Sequence, residues 1–231
     1  MDITQIEKVF LVNLPHRKDR FHESVLEFAR VGLLDWSSDI PAVKYDPNVD
    51  GHINEFINFC KHPKIKMEKG YLYGAFGCML SHYNIIKHAK EKGYKCILIL
   101  EDDFHWTQTG TSDNWLVNTG IQKCLDDLKD MDLNWNMFYL SVNNVTPPIK
   151  ITENVVRPTQ AYTTTGYILK DPLYDVILEN LLKYGKEIDV FYAEVIQKRD
   201  DIFCSAKHLI VQRPSYSDIL GHFTDYSFVY K

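Results

Sequence analysis

Long apolar runs are missing from this 231-residue sequence: no stretch approaches the roughly 18 apolar residues a membrane-crossing helix needs. Cysteine is sparse and unpatterned. Cys60, Cys78, Cys96, Cys124 and Cys204 form no CxxC pair, so buried free thiols are expected rather than a disulfide framework or a zinc cluster. Positive charge is in deficit, with 26 Lys and Arg against 31 Asp and Glu and a net charge of −5. That argues against a protein that grips nucleic acid by neutralising phosphates, although a few arginines can still hold one diphosphate in a pocket. The opening MDITQIEKVF has neither a basic segment nor an apolar core of the kind a secretory leader carries, so a cytoplasmic location is expected. The Asn-Val-Thr triplet at 144–146 then has little meaning as a glycosylation site. Internal repeats, linkers and low-complexity tracts are absent too.

What remains is ordinary globular composition, 45% apolar and 25% charged, with a high aromatic share that includes 14 tyrosines. One domain spanning 1–231 is expected, with an irregular excursion at 35–69. KVFLV at 8–12 reads as a buried strand, and the Leu14-Pro15 step forces a loop after it. Phe21, Val25, Phe28 and Val31 recur at helical spacing. In the segment 73–93, Phe76, Met79, Leu80, Tyr83 and Ile86 form one apolar stripe, while Gly74, Gly77, Cys78, Ser81 and Ile85 form a second, smaller one. Such a helix is sandwiched, and its small side lets another backbone or a ligand come close. Strands are expected at 95–103, 136–142, 164–170 and 208–214, and helices at 121–131, 171–185 and 187–199. The alternation predicts an α/β fold, a mostly parallel central sheet flanked by helices.

The strand ILILEDDFHW at 97–106 ends on Glu101, Asp102 and Asp103. In open α/β sheets ligands bind beyond the carboxyl ends of the strands. Three adjacent carboxylates there are tolerated when a divalent cation neutralises them, and oxygen-only ligands suit Mg²⁺ or Mn²⁺. A cation held this way keeps open positions for the phosphates of a nucleotide or sugar-nucleotide. The competing reading is a solvated acidic turn.

Taken together, several segments resemble glycosyltransferase family 25. VFLVNLPHRKDRF is similar to that family's N-terminal signature, GAFGCMLSHYNIIKHA to its G-x-x-G-C-x-L-S-H helix and ILILEDDF to its acidic strand end. TTGYILK, IDVFYAEV and IVQRPSYSDI follow in the family's order, so the resemblance runs from residue 9 to about 219. One position departs: the family commonly has Glu where this chain has Ala75. The resemblance implies a single GT-A-type, Rossmann-like domain and a metal-dependent, inverting transfer of galactose or glucose from a UDP-sugar. The acceptor it implies is a hydroxyl of a glycan or of hydroxylysine in a collagen-like protein.

Roles follow from that implication. Glu101 and Asp103 are the expected metal ligands, with Glu101 or Asp102 on the ribose. Asn13, Arg17, Arg20, Ser81, Gln212 and Asp218 are expected around the donor, although HRKDR reads equally as a solvated basic helix face. His82 is expected to support a carboxylate from behind. Asp189 is the expected general base, with a helix N-cap as its structural alternative and Glu194 and Asp218 as rivals. Ser217 and His222 are further pocket candidates. A UDP-sugar-binding module without catalysis is the alternative function, left open by Ala75. A nucleotidyltransferase is a third, although NLPHRKDR lacks the glycines of its phosphate loop.

Overall fold

The structure is a computed structural model that describes residues 6–61 and 69–230. In chain order the elements are β1 (Lys8–Val12), α1 (Lys18–Val31), α2 (Ile53–Cys60), α3 (Lys69–Lys92), β2 (Cys96–Glu101), β3 (Phe104–Trp106), α4 (Trp115–Asn118), α5 (Ile121–Asp130) and β4 (Met137–Tyr139). There follow β5 (Asn143–Asn144), β6 (Ile149–Lys150), β7 (Val155–Arg157), β8 (Ala161–Tyr162), β9 (Gly166–Lys170), α6 (Tyr174–Tyr184), α7 (Ile188–Glu194), β10 (Ile202–Ser205), β11 (Ile210–Gln212), β12 (Ser215–Tyr216) and β13 (Phe223–Thr224).

A seven-stranded sheet in the order β1-β2-β9-β4-β10-β7-β6 lies between two helical layers, as the α/β reading expects. Its pairing is mixed. Only β1–β2 and β4–β10 are parallel ladders; the other four are antiparallel. Five strands nevertheless point one way (β1, β2, β4, β10 and β6), and β9 and β7 point the other. The departure from a mostly parallel sheet has a simple cause. Short strands, not a crossover helix, connect β4 to β9, and a chain returning without such a crossover pairs antiparallel.

Two cores sit on the two faces. On one, Phe76, Met79, Leu80 and Ile86 of α3 pack with Ile177 and Leu181 of α6 and with Phe191 of α7. On the other, Phe28 and Val31 of α1 pack with Leu125 and Leu128 of α5 and with the fully buried Phe104 and Trp106. Strand β2 serves both, sending Ile97 and Ile99 to the α3 face and Cys96, Leu98 and Leu100 to the α1 face. That two-residue alternation governs what happens at its acidic end.

The small stripe of α3 accepts two backbones, as the sequence suggests. A methyl group on Gly77 would run into the carbonyl oxygen of Val43, and one on Gly74 would sit 3.0 Å from the Ile219 Cα. Ser81 completes the first contact by accepting from the Val43 amide at 2.7 Å. The excursion at 35–69 is therefore strapped to α3, and it contains the helix α2 where irregular chain is expected. Residues 62–68 of it lie outside the described residues. Strand β10 escapes the sequence reading, as do α4 and the short strands β5–β8, β12 and β13; β11 falls in the expected 208–214 strand but pairs with β3, apart from the main sheet. All five cysteines are free, and Cys60 is exposed rather than buried.

Gly77→Ala is expected to destabilise the fold by about 1–3 kcal/mol, because the Val43 carbonyl is backbone and cannot step aside. Chemical denaturation of the two proteins checks this.

Candidate active site

The alternation of β2 continues past its last paired residue and separates the carboxylates. Glu101 turns to the α3 side, where its Oε1 meets His82 Nε2 at 3.3 Å and accepts from the Thr164 hydroxyl at 2.7 Å. Asp102 turns to the α1 side. Its Oδ1 accepts from Arg20 at 2.7 Å, its Oδ2 from the Asn13 amide at 2.6 Å, and its backbone oxygen from Ser24 and Arg213. Asp103 comes last. Its Oδ2 lies 3.4 Å from the Gln212 amide nitrogen and 3.7 Å from Arg20, while its Oδ1 is buried with no hydrogen-bond partner among the described residues.

Between α3, the acidic turn and the C-terminal segment lies a cavity of about 680 Å³, in the range of small-molecule sites. Arg20, Glu101, Asp102, Asp103 and Asp189 all line it. Burial, with Glu101 and Asp102 adding repulsion, pushes the Asp103 carboxyl up to about 7. Burial also raises Asp189, to about 6, against hydrogen bonds from the Val190 and Thr163 amides. For Glu101 the burial penalty is outweighed by the His82 and Thr164 hydrogen bonds, which hold it below its ordinary value. The three acids are thus neither a solvated turn nor equivalent. Asp102 is consumed by protein partners, and Glu101 and Asp103 line the cavity.

The other expected residues divide in the same way. Arg20 lines the cavity and forks, one nitrogen on Asp102 and the other on the Ser215 hydroxyl and Tyr216 carbonyl. Arg17 grips Asp19, Asp218 and the Tyr216 carbonyl and is absent from the cavity wall. Asn13 is buried behind Asp102, so its contact with the site is indirect. Ser81 lines the wall, but its hydroxyl is spent on the Val43 amide and the Gly77 carbonyl. Gln212, Ser217 and Asp218 line the cavity. His222 is exposed outside it and donates to the Phe223 carbonyl, and Glu194 is held by Tyr184 and Lys186 away from it. Asp189 lies in the first turn of α7, whose N-cap is Glu187, so the capping alternative does not apply.

His82 supports a carboxylate from behind: fully buried, it bridges Glu101 and the Tyr167 hydroxyl at 2.9 Å. Sequence reasoning misses Thr163 and Thr164. Thr163 adopts φ 84°, a region costly for a β-branched residue, and so turns its amide toward Asp189. The Thr-Thr-Thr run at 163–165 was the available signal.

No family model matches the chain. Among curated proteins, it is 25% identical to procollagen galactosyltransferase 1-A of Xenopus laevis, over 97% of this chain and 38% of that protein. It is 24% identical to procollagen galactosyltransferase 2 of Homo sapiens, over 95% of this chain and 37% of that protein. It is also 27% identical to the probable inactive glycosyltransferase 25 family member 3 of Rattus norvegicus, over 71% of this chain and 28% of that protein. The chain thus spans well under half the length of these relatives. The resemblance to glycosyltransferase family 25 extends over nearly the whole sequence. A solved structure of apo UDP-glucose pyrophosphorylase superposes at a TM-score of 0.44 and 9% identity, covering 90% of this chain and 92% of that one.

Two measurements test this electrostatic arrangement. Arg20→Met strands the Asp102 carboxylate without its cation and is expected to cost about 3–5 kcal/mol in a denaturation curve. For Asp103 the folded value of about 7 lies above its ordinary 3.8, so the folded chain binds the extra proton between them. Its contribution therefore declines as pH rises through that window. Asp103→Asn is expected to flatten the fall in thermal midpoint from pH 4 to 7 relative to the parent, measured without added divalent cation.

Proposed function

We propose that this chain is a metal-dependent, inverting glycosyltransferase that moves galactose or glucose from a UDP-sugar to a hydroxyl of a glycan or of hydroxylysine in a collagen-like protein. The observation that carries the reading is the buried, unpartnered Oδ1 of Asp103, in a cavity that Glu101 also lines. An oxygen in that state, on a carboxyl pushed toward neutrality by burial and then by Glu101 and Asp102, suits a hard divalent cation such as Mn²⁺ or Mg²⁺. The similar galactosyltransferases supply the direction of the inference.

Glu101 and Asp103 would hold the cation, which when bound supplies Lewis-acid stabilisation of the departing diphosphate. Arg20 adds positive charge at the same wall, anchored by Asp102 so that its guanidinium needs no reorganisation during reaction. Asp189 takes the proton of the acceptor hydroxyl. The hydroxyl oxygen bonds to the anomeric carbon from the face opposite UDP, and the carbon–oxygen bond to the β-phosphate breaks with its electron pair leaving on UDP. A carboxyl near 6 is ionised at neutral pH and basic enough for that task. Asn13 and Arg17 act one step removed, Asn13 by fixing Asp102 and Arg17 by tying the Tyr216–Asp218 segment to α1.

The alternative, a UDP-sugar-binding module without transfer, draws on Ala75 and on the inactive family members among the similar proteins. A panel of UDP-sugars with mixed acceptors, with and without Mn²⁺ and followed by UDP release, separates the two. Transfer is expected from one hexose donor, only with the cation. Asp189→Asn should keep UDP binding and lose turnover by about 10²–10⁴. Tight UDP binding with no release under any condition would establish the binding module instead.

A further inference from the structure

Behind the acidic turn, Cys78 Sγ, a ring nitrogen of His82 and a carboxylate oxygen of Glu101 lie within 4.8 Å of one another. We infer that these three side chains form a second cation site, for a thiophilic ion of the zinc class, that shares Glu101 with the hard-cation site and therefore competes with it. The sharing rests on the functional reading above; the site itself does not.

Four features of the cluster support it. Cys78 and His82 are four residues apart on α3, so they project from the same helix face one turn apart. One thiolate, one neutral imidazole and one carboxylate are a sulfur, nitrogen and oxygen donor set that together neutralise a divalent charge, the composition expected of zinc rather than of Mg²⁺ or Mn²⁺. His82 has the support that metal-binding histidines use, because its far nitrogen Nδ1 is fixed by the Tyr167 hydroxyl at 2.9 Å. Finally, both Cys78 and Glu101 line the cavity, which leaves the fourth position of a tetrahedral ion open to solvent or to an anionic ligand.

The protons can be placed. In the tautomer that donates Nε2–H to Glu101, Nδ1 accepts from Tyr167. To ligate, the ring carries its proton on Nδ1 instead and donates it to the Tyr167 oxygen. Tyr167 then turns its own O–H to the Tyr192 hydroxyl, 3.2 Å away. The Cys78 thiol proton leaves to solvent. The Tyr192 O–H, which cannot go on donating to Tyr167, turns away from it in the exchange. The sequence reading, which looks for paired cysteines, cannot find a site whose sulfur is single and whose carboxylate comes from a distant strand.

Co²⁺ is the probe, because its spectrum reports thiolate ligation with no donor or acceptor present. Titrating the whole chain with Co²⁺ is expected to produce a thiolate-to-cobalt charge-transfer band in the near ultraviolet, saturating at one equivalent and bleached by Zn²⁺. Cys78→Ser should remove the band, with affinity falling by more than the roughly 10–100-fold that loss of a supporting partner costs. Cys60→Ser, which changes the exposed cysteine, should keep it. Absence of the band in the parent, or its persistence in Cys78→Ser, would overturn the site. Should Cys78→Ser not fold, alkylation of the parent decides. Zn²⁺ is expected to slow labelling of Cys78 relative to Cys60 by peptide mass spectrometry, and unchanged relative rates would overturn the proposal. A chain that binds Co²⁺ in this way but transfers no sugar keeps this site and loses the glycosyltransferase reading; the reverse result does the opposite.

Discussion

The Arg20–Asp102 pair, closed in by Asn13, is the interaction on which the site depends. Three consecutive carboxylates at the end of a buried strand would repel one another strongly in a low-dielectric interior. The structure reduces the problem by giving the middle one to protein partners. With Asp102 held by a guanidinium on one oxygen and an amide on the other, two carboxylates, Glu101 and Asp103, remain for the cavity. Arg20 is held in turn, since its second nitrogen ties the Ser215–Tyr216 strand to α1. One ion pair thus joins the first helix, the acidic turn and the C-terminal segment. It also explains why Arg17, beside it in sequence, does a different job: Arg17 reinforces that junction through Asp218 and leaves the cavity wall to Arg20.

Helix α3 is the second fixed element. Its apolar stripe buries against α6 and the sheet, while Gly74 and Gly77 let the backbones at Ile219 and Val43 close down on the opposite side. The cavity is therefore bounded by chain segments that are distant in sequence and meet only because α3 has no side chains in their way. His82 and Cys78 sit on this helix between its two roles, where structural support for Glu101 and a donor set for a soft cation coincide.

Much of this was legible in the sequence. Five-residue apolar strands, a Pro-led helix ending at Gly185 and a carboxylate triplet after ILIL are local signals, and local signals place elements well. The pairing pattern was not legible: alternation of strands and helices suggests parallel crossovers, but nothing between 140 and 165 announces that β9 returns without one. Nor could the sequence say which of Glu101, Asp102 and Asp103 would be spent on the protein, because that depends on whether Arg20 or Arg17 reaches across 82 or more residues of chain. The conformation of Thr163 was illegible for a different reason. A β-branched residue at positive φ runs against its own preference, and only the surrounding packing holds it there.

The proposed activity requires that the two remaining carboxylates bind a hard cation. Titrating the whole chain with Mn²⁺, and following free and bound ion by electron paramagnetic resonance, tests that directly. One bound ion per chain, tightened by UDP and lost in Asp103→Asn while the variant stays folded, is the predicted result. An unchanged free-ion spectrum, with or without UDP, would contradict it and leave the acids with a purely structural role.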